Sequence, residues 1–75
     1  MDIILYSTDC PKCKVLKKKL EEEKIEFLEN KDVNEMISLG IDQVPILYVN
    51  GELLDFVAAN KWIKERKELQ NEHPN

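Results

Sequence analysis

Two four-residue runs, Ile3-Ile4-Leu5-Tyr6 and Ile46-Leu47-Tyr48-Val49, are apolar at every position. A strand without a polar side needs cover on both faces, so these two belong at the centre of a sheet flanked by helices. Two other runs are mixed or short, Ile25-Glu26-Phe27-Leu28-Glu29 and Glu52-Leu53-Leu54, and fit the edges. At 75 residues the chain has room for one such sheet and one domain, residues 1–75. A domain this small buries only about 60% of its unfolded surface.

Helical signals fill the gaps between the strands. From Pro11 to Glu23 the apolar positions are Cys13, Leu16 and Leu20, with Val15 beside them, at helical spacing. Pro11 suits the first helical position, where its missing N–H costs nothing. Asp32 with Glu35 three residues on reads as a capping box. The short helix it opens runs to Leu39 and ends on Gly40 as a left-handed cap. Asn50-Gly51 is the favoured pair for a two-residue type I′ hairpin. Asp55 caps a last helix with an apolar stripe through Ala59, Trp62, Ile63 and Leu69. The predicted order is β-α-β-α-β-β-α, an α/β chain with a four-stranded mixed sheet and three helices. The first two strands should be parallel through a right-handed crossover, and the last two form the hairpin. Gln70 to Asn75 is polar, terminal and contains Pro74, and reads as a disordered tail.

Charge narrows the function classes. The net charge is −4, and no one-sided basic excess supports nucleic-acid binding. Lys17 to Lys19 are followed by Glu21 to Glu23, which pair with them at helical spacing and make a solvated face. No basic n-region precedes the short first apolar run, and no run reaches membrane-spanning length. The expected location is the cytoplasm, where a permanent disulfide is uncommon and a Cys pair more often cycles or binds metal.

The pair is Cys10-Pro11-Lys12-Cys13, at the junction from first strand to first helix. Residues three apart at a helix start share a face, within reach of a disulfide. Cys10 stands at the helix N-terminus, where free N–H groups and the macrodipole favour an anion. A thiol so placed has a lowered pKa, and the thiolate is the reactive form. Lys12 and Lys14 add positive charge, and Asp9 opposes it. Cys13 lies one turn into the helix and should be the more buried. Cys10 is then the attacking thiol and Cys13 the resolving one. The alternative is a dimeric module in which the pair contributes to a zinc or iron–sulfur site. Structural zinc wants about four ligands; this chain has two Cys and one His, His73 in the tail. Two packed core cysteines would suit Cys13 but not Cys10. No metal is expected in a single chain.

The chain resembles the thioredoxin-fold superfamily, and most of all the glutaredoxins and glutaredoxin-like redoxins, over roughly residues 2–68. "CPKC" stands where glutaredoxins carry Cys-Pro-aromatic-Cys, and "QVPILYVNGELL" is similar to their Val-Pro strand, hairpin and final strand. The resemblance implies a thioredoxin-like fold and dithiol–disulfide oxidoreductase activity. It implies a cis bond before Pro45 that sets the Val44 backbone against the dithiol, where an extended substrate could pair as an added strand. Pro11, Lys12, Val44 and Pro45 then face the substrate, and Asp55 and Phe56 lie where a ligand carboxylate would bind. The implied partners are a disulfide-bearing protein, by analogy an enzyme such as ribonucleotide reductase, and a reductase. The chain would act as a monomer with no bound cofactor. Its external reductant would be glutathione or a thioredoxin reductase system.

Three departures from the family pattern bear on the choice. Leu54-Asp55-Phe56-Val57 lacks the Gly-Gly pair whose amides hold a glutathione carboxylate. Ser7-Thr8-Asp9 lacks the Lys usually found before the first Cys. Lys12 replaces the aromatic residue of the motif. Weak glutathione binding is the expectation.

Overall fold

The computed structural model describes residues 2–71, and the side chains of residues 2–66. The elements are β1 (Ile3–Tyr6), α1 (Pro11–Glu22), β2 (Leu28–Asn30), α2 (Val33–Ser38), β3 (Ile46–Val49), β4 (Glu52–Leu54) and α3 (Phe56–Asn71). The sheet runs β2-β1-β3-β4. β1 pairs with β2 in parallel and with β3 antiparallel, and β3 pairs with β4 antiparallel. The two wholly apolar strands are the central ones, as their patterning requires. Asn50 and Gly51 both have positive φ, 47° and 93°, the backbone of a type I′ turn.

Strand alternation sorts the core into two layers. Ile3, Leu5, Leu47 and Val49 meet Leu16 and Leu20 of α1 and Ala59 and Ile63 of α3. On the opposite face Tyr6 and Ile46 meet Met36 and Ile41 at α2.

Both shorter helix ends close in the same way. At α2 the Ile41 N–H donates to Met36 O and the Gly40 N–H to Ile37 O. At α1 the Ile25 N–H donates to Leu20 O and the Lys24 N–H to Glu21 O. Each is a Schellman closure with an apolar Ile packed back on the last turn. Gly40 takes the left-handed position at one, φ 81°, and Lys24 at the other, φ 57°.

That second closure corrects the expected strand at 25–29. Ile25 is spent on the helix end and the core, so pairing begins only at Leu28 and continues to Asn30. The expected capping box is half formed. Asp32 Oδ1 accepts from the Glu35 N–H at 3.2 Å, but the Asp32 N–H donates to Asn30 Oδ1 at 2.8 Å. Val15 is largely exposed rather than part of the buried stripe. Helix α3 continues through Gln70 and Asn71, where a tail was expected; residues 72–75 lie outside the described residues. The Leu69 side chain and His73 lie outside them too. No helix among the described residues is long and apolar enough to cross a membrane.

Candidate functional site

Cys10 is the N-cap of α1, with extended backbone (φ −67°, ψ 163°) and Pro11 at the first helical position. Its Sγ accepts the Cys13 N–H at 3.1 Å, and its carbonyl accepts the Lys14 N–H at 3.0 Å. A cysteine here does what Ser or Asp does at other helix starts: it satisfies one of the free N–H groups of the first turn. The same donor would stabilise negative charge on that sulfur. Cys10 is half-buried, and Cys13 is 1% exposed under α1. The two are joined by a disulfide, with Cα atoms 4.9 Å apart.

The loop that carries Cys10 is pinned from β2. The Ser7 N–H donates to Asn30 O at 3.1 Å, and Ser7 Oγ donates to Glu29 Oε2 at 3.0 Å. Lys17 Nζ of α1 donates to Glu29 Oε1 at 3.0 Å. The Lys17 hydrogen bond first, and that of Ser7 after it, hold the Glu29 carboxyl below the usual range. The same contact raises Lys17. Lys31 Nζ pairs with Asp9 Oδ2 at 3.0 Å and lowers the Asp9 carboxyl, chiefly by that hydrogen bond. Asp9 takes a left-handed φ of 63°, which Asp tolerates better than most residues. The negative charge beside Cys10 is therefore partnered, which sequence proximity did not reveal.

The remaining candidates fall at the same end of the sheet. Tyr6 pairs with Ile46, so Val44 and Pro45 lie just beyond that pair, where the chain leaves β1 toward Cys10. The Val44–Pro45 bond is cis, and Pro45 is buried. Lys12 Nζ lies 5.5 Å from the Phe56 ring centroid, a cation–π distance that ties the motif to the start of α3. Asp55 Oδ1 accepts the Ala58 N–H at 2.8 Å. The Asp55 carboxylate thus caps α3 and takes a donor that an outside anion would need. Phe56 is partly buried against the core.

Three residues of this neighbourhood were not singled out from sequence: Ser7, Glu29 and Lys31. Glu29 carried no distinct signal, since the expected strand held a second acid, Glu26, and β2 itself is Leu28-Glu29-Asn30. Among the described residues no group of three or more His, Cys, Asp or Glu is placed to hold a metal ion.

Comparison with protein-family models, curated proteins and solved structures finds no match for this chain.

Proposed function

We propose that this chain is a small cytoplasmic dithiol–disulfide oxidoreductase of glutaredoxin-like type with a thioredoxin-like fold. The observation that carries the reading is the asymmetry of the pair. Cys10 Sγ is half-buried at a helix start and receives an N–H, while Cys13 is sealed beneath the same helix.

In the reduced chain the Cys10 thiolate attacks one sulfur of a substrate disulfide. A mixed disulfide forms, and the other substrate sulfur leaves as a thiolate and takes a proton. Cys13 loses its proton and attacks Cys10 Sγ, which expels the second substrate sulfur as a thiolate that is then protonated. The Cys10–Cys13 disulfide forms, and the substrate gains two electrons and two protons. A reductase or glutathione returns them to the chain. Pro11, Lys12, Val44 and Pro45 frame the approach to Cys10. Asp55 supports the choice of a protein reductase: its carboxylate already caps α3 and would repel a ligand carboxylate.

The experiment supplies the oxidised protein with glutathione plus glutathione reductase, or with NADPH plus a thioredoxin reductase. We expect efficient reduction with the second and slow stoichiometric exchange with the first. Saturable turnover with glutathione would overturn the choice of reductant. If Cys13→Ser traps no mixed disulfide with a disulfide-bearing protein, the oxidoreductase reading itself fails.

A further inference from the structure

The sheet face that carries α2 is only half covered. Register aligns Leu28, Ile4, Tyr48 and Leu53 in one row across all four strands. Alternation puts this row on the α2 side, but α2 is only six residues long: its cluster buries Tyr6 and Ile46, and Ile4 and Tyr48 are only partly buried against it. Leu28 is 71% exposed and Leu53 49%, and Leu39 after α2 is 48% exposed. These residues line an open groove of about 1080 Å³.

The charge around the groove has one sign. Asp2, Glu26 and Glu35 line it, as does Glu21 of α1 where the groove wraps past the sheet to Ile3 and Ile25, and among the described residues no Lys or Arg does. Glu35 is free for this because Asn30, not Glu35, takes the Asp32 N–H. Its carboxylate adds to burial in raising the Tyr6 phenol.

We propose that this groove docks a basic amphipathic helix of a partner protein. The backbone argues for a helix. The central strands β1 and β3 are paired on both edges, so the face offers side chains and no free ladder. An extended segment laid across it would desolvate its own N–H and C=O groups without partners. A helix satisfies its backbone internally and presents only side chains. The dimensions agree: four strands about 4.8 Å apart make a row roughly 15 Å long, close to three helical turns of about 5.4 Å each. The sign of the rim selects Lys and Arg beside the apolar stripe. It also disfavours a second copy, since a two-fold contact would set the carboxylates of the rim against one another.

The docking does not depend on the dithiol chemistry, and a chain with both cysteines replaced by Ser should bind equally. The probe is an amphipathic Leu/Lys peptide of about 15 residues, near the shortest length at which such helices hold in water. A Leu/Glu peptide with the same apolar stripe is the control. In an NMR titration the Lys peptide should move the amides of Ile4, Leu28, Tyr48 and Leu53, and the Glu peptide should not. Leu28→Ser with Leu53→Ser should weaken binding about tenfold or more, the loss expected for roughly 1.4 kcal/mol of apolar contact. Both positions are exposed, so a thermal melt should show the fold retained. Glu26→Gln with Glu35→Gln should weaken binding less and reduce its salt dependence. Equal binding of the Glu peptide, shifts centred on α1 and α3, or an unaffected double Ser variant would each overturn the proposal. Concentration-dependent self-association on sizing, lost in the double Ser variant, would give the face to a second copy instead.

Discussion

On one face of the sheet Ile3, Leu5, Leu47 and Val49 lie under α1 and α3; on the other, among the described residues, Ile4, Tyr6, Ile46 and Tyr48 meet Met36 of α2 and Ile41 and Val44 of the loop that follows it. Both faces carry large side chains with apolar surface, the second including two Tyr. What differs is the cover: helices of 12 and 16 residues on the first face and of 6 on the second. Alternation along a strand assigns a residue to a face but carries no information about whether a helix will reach it. The first face holds the folding core. The second is closed near the dithiol and open at the far end.

The widest gap between the faces should appear in stability. Leu47 is fully buried beneath α1 and α3, and Leu28 is mostly exposed on the open face. Leu47→Ala is expected to cost about 2–5 kcal/mol by lost transfer energy and the cavity left behind. Leu28→Ala should stay within about 0.5 kcal/mol. A domain of this size has roughly 4–11 kcal/mol in all, so urea unfolding would separate the two at once. Equal costs would mean that the open face is core after all.

The same contrast of rim and interior divides the two cysteines. Alkylation of the reduced protein against pH should label Cys10 first, with a midpoint below the roughly 8.5 of a free thiol. Cys13, under α1, should label slowly until the protein unfolds. Earlier labelling of Cys13 would reverse the roles assigned above.

The two Schellman closures sharpen the comparison, since each anchors an Ile in a different layer: Ile25 on the covered face and Ile41 on the α2 face. A Cβ at Gly40 would meet nothing within 4 Å, so Gly40→Ala tests backbone strain alone. It should cost about 1 kcal/mol by thermal melt. Lys24→Gly relieves the same strain at α1 and should be neutral to stabilising by up to about 0.5–1 kcal/mol, offset in part by a looser unfolded chain. A destabilising Lys24→Gly would show that the lysine side chain contributes to that end.

The smallest effect expected is the pH dependence of the Glu29 contacts beneath the Cys10 loop. Glu29 is held low by Lys17 and Ser7. Its contribution is fully present above the unfolded carboxyl pKa near 4.3 and is lost as pH falls through the lower folded value. Lys17 is 39% exposed and Glu29 20%, so solvent screening keeps the contribution of the pair small. The stability difference between the native chain and Glu29→Gln should be constant near neutral pH and shrink below about pH 4. A difference that persists into acid would point to packing rather than charge.

Local signals in the chain were enough for most of the elements and for the placement of the Cys10–Cys13 pair at the start of α1. Cys10 before Pro11, Asp32, Gly40, Asn50-Gly51 and Asp55 each act through bonds to residues within a few positions, so their meaning is carried by neighbours in sequence. The central strands were legible because a run apolar at every position has only one place in a small sheet. The edge strand at 25–29 was misplaced because a three-residue strand has little propensity of its own. Its bounds follow from where α1 closes, through a left-handed lysine that no pattern announces.

The sequence by itself determined the element order, the central pair of strands, the caps and the placement of a CxxC at a strand-to-helix junction, because each rests on short-range periodicity or a local hydrogen bond. The tertiary structure alone decided that Asp9 meets Lys31, that Glu29 gathers Ser7 and Lys17, that Lys12 lies over Phe56, and that one sheet face stays half open. The three polar and ring contacts join residues on separate elements, and the open face depends on how far a helix from one part of the chain reaches across strands from three others. Neither follows from residue type until the chain has reversed direction and brought those elements together.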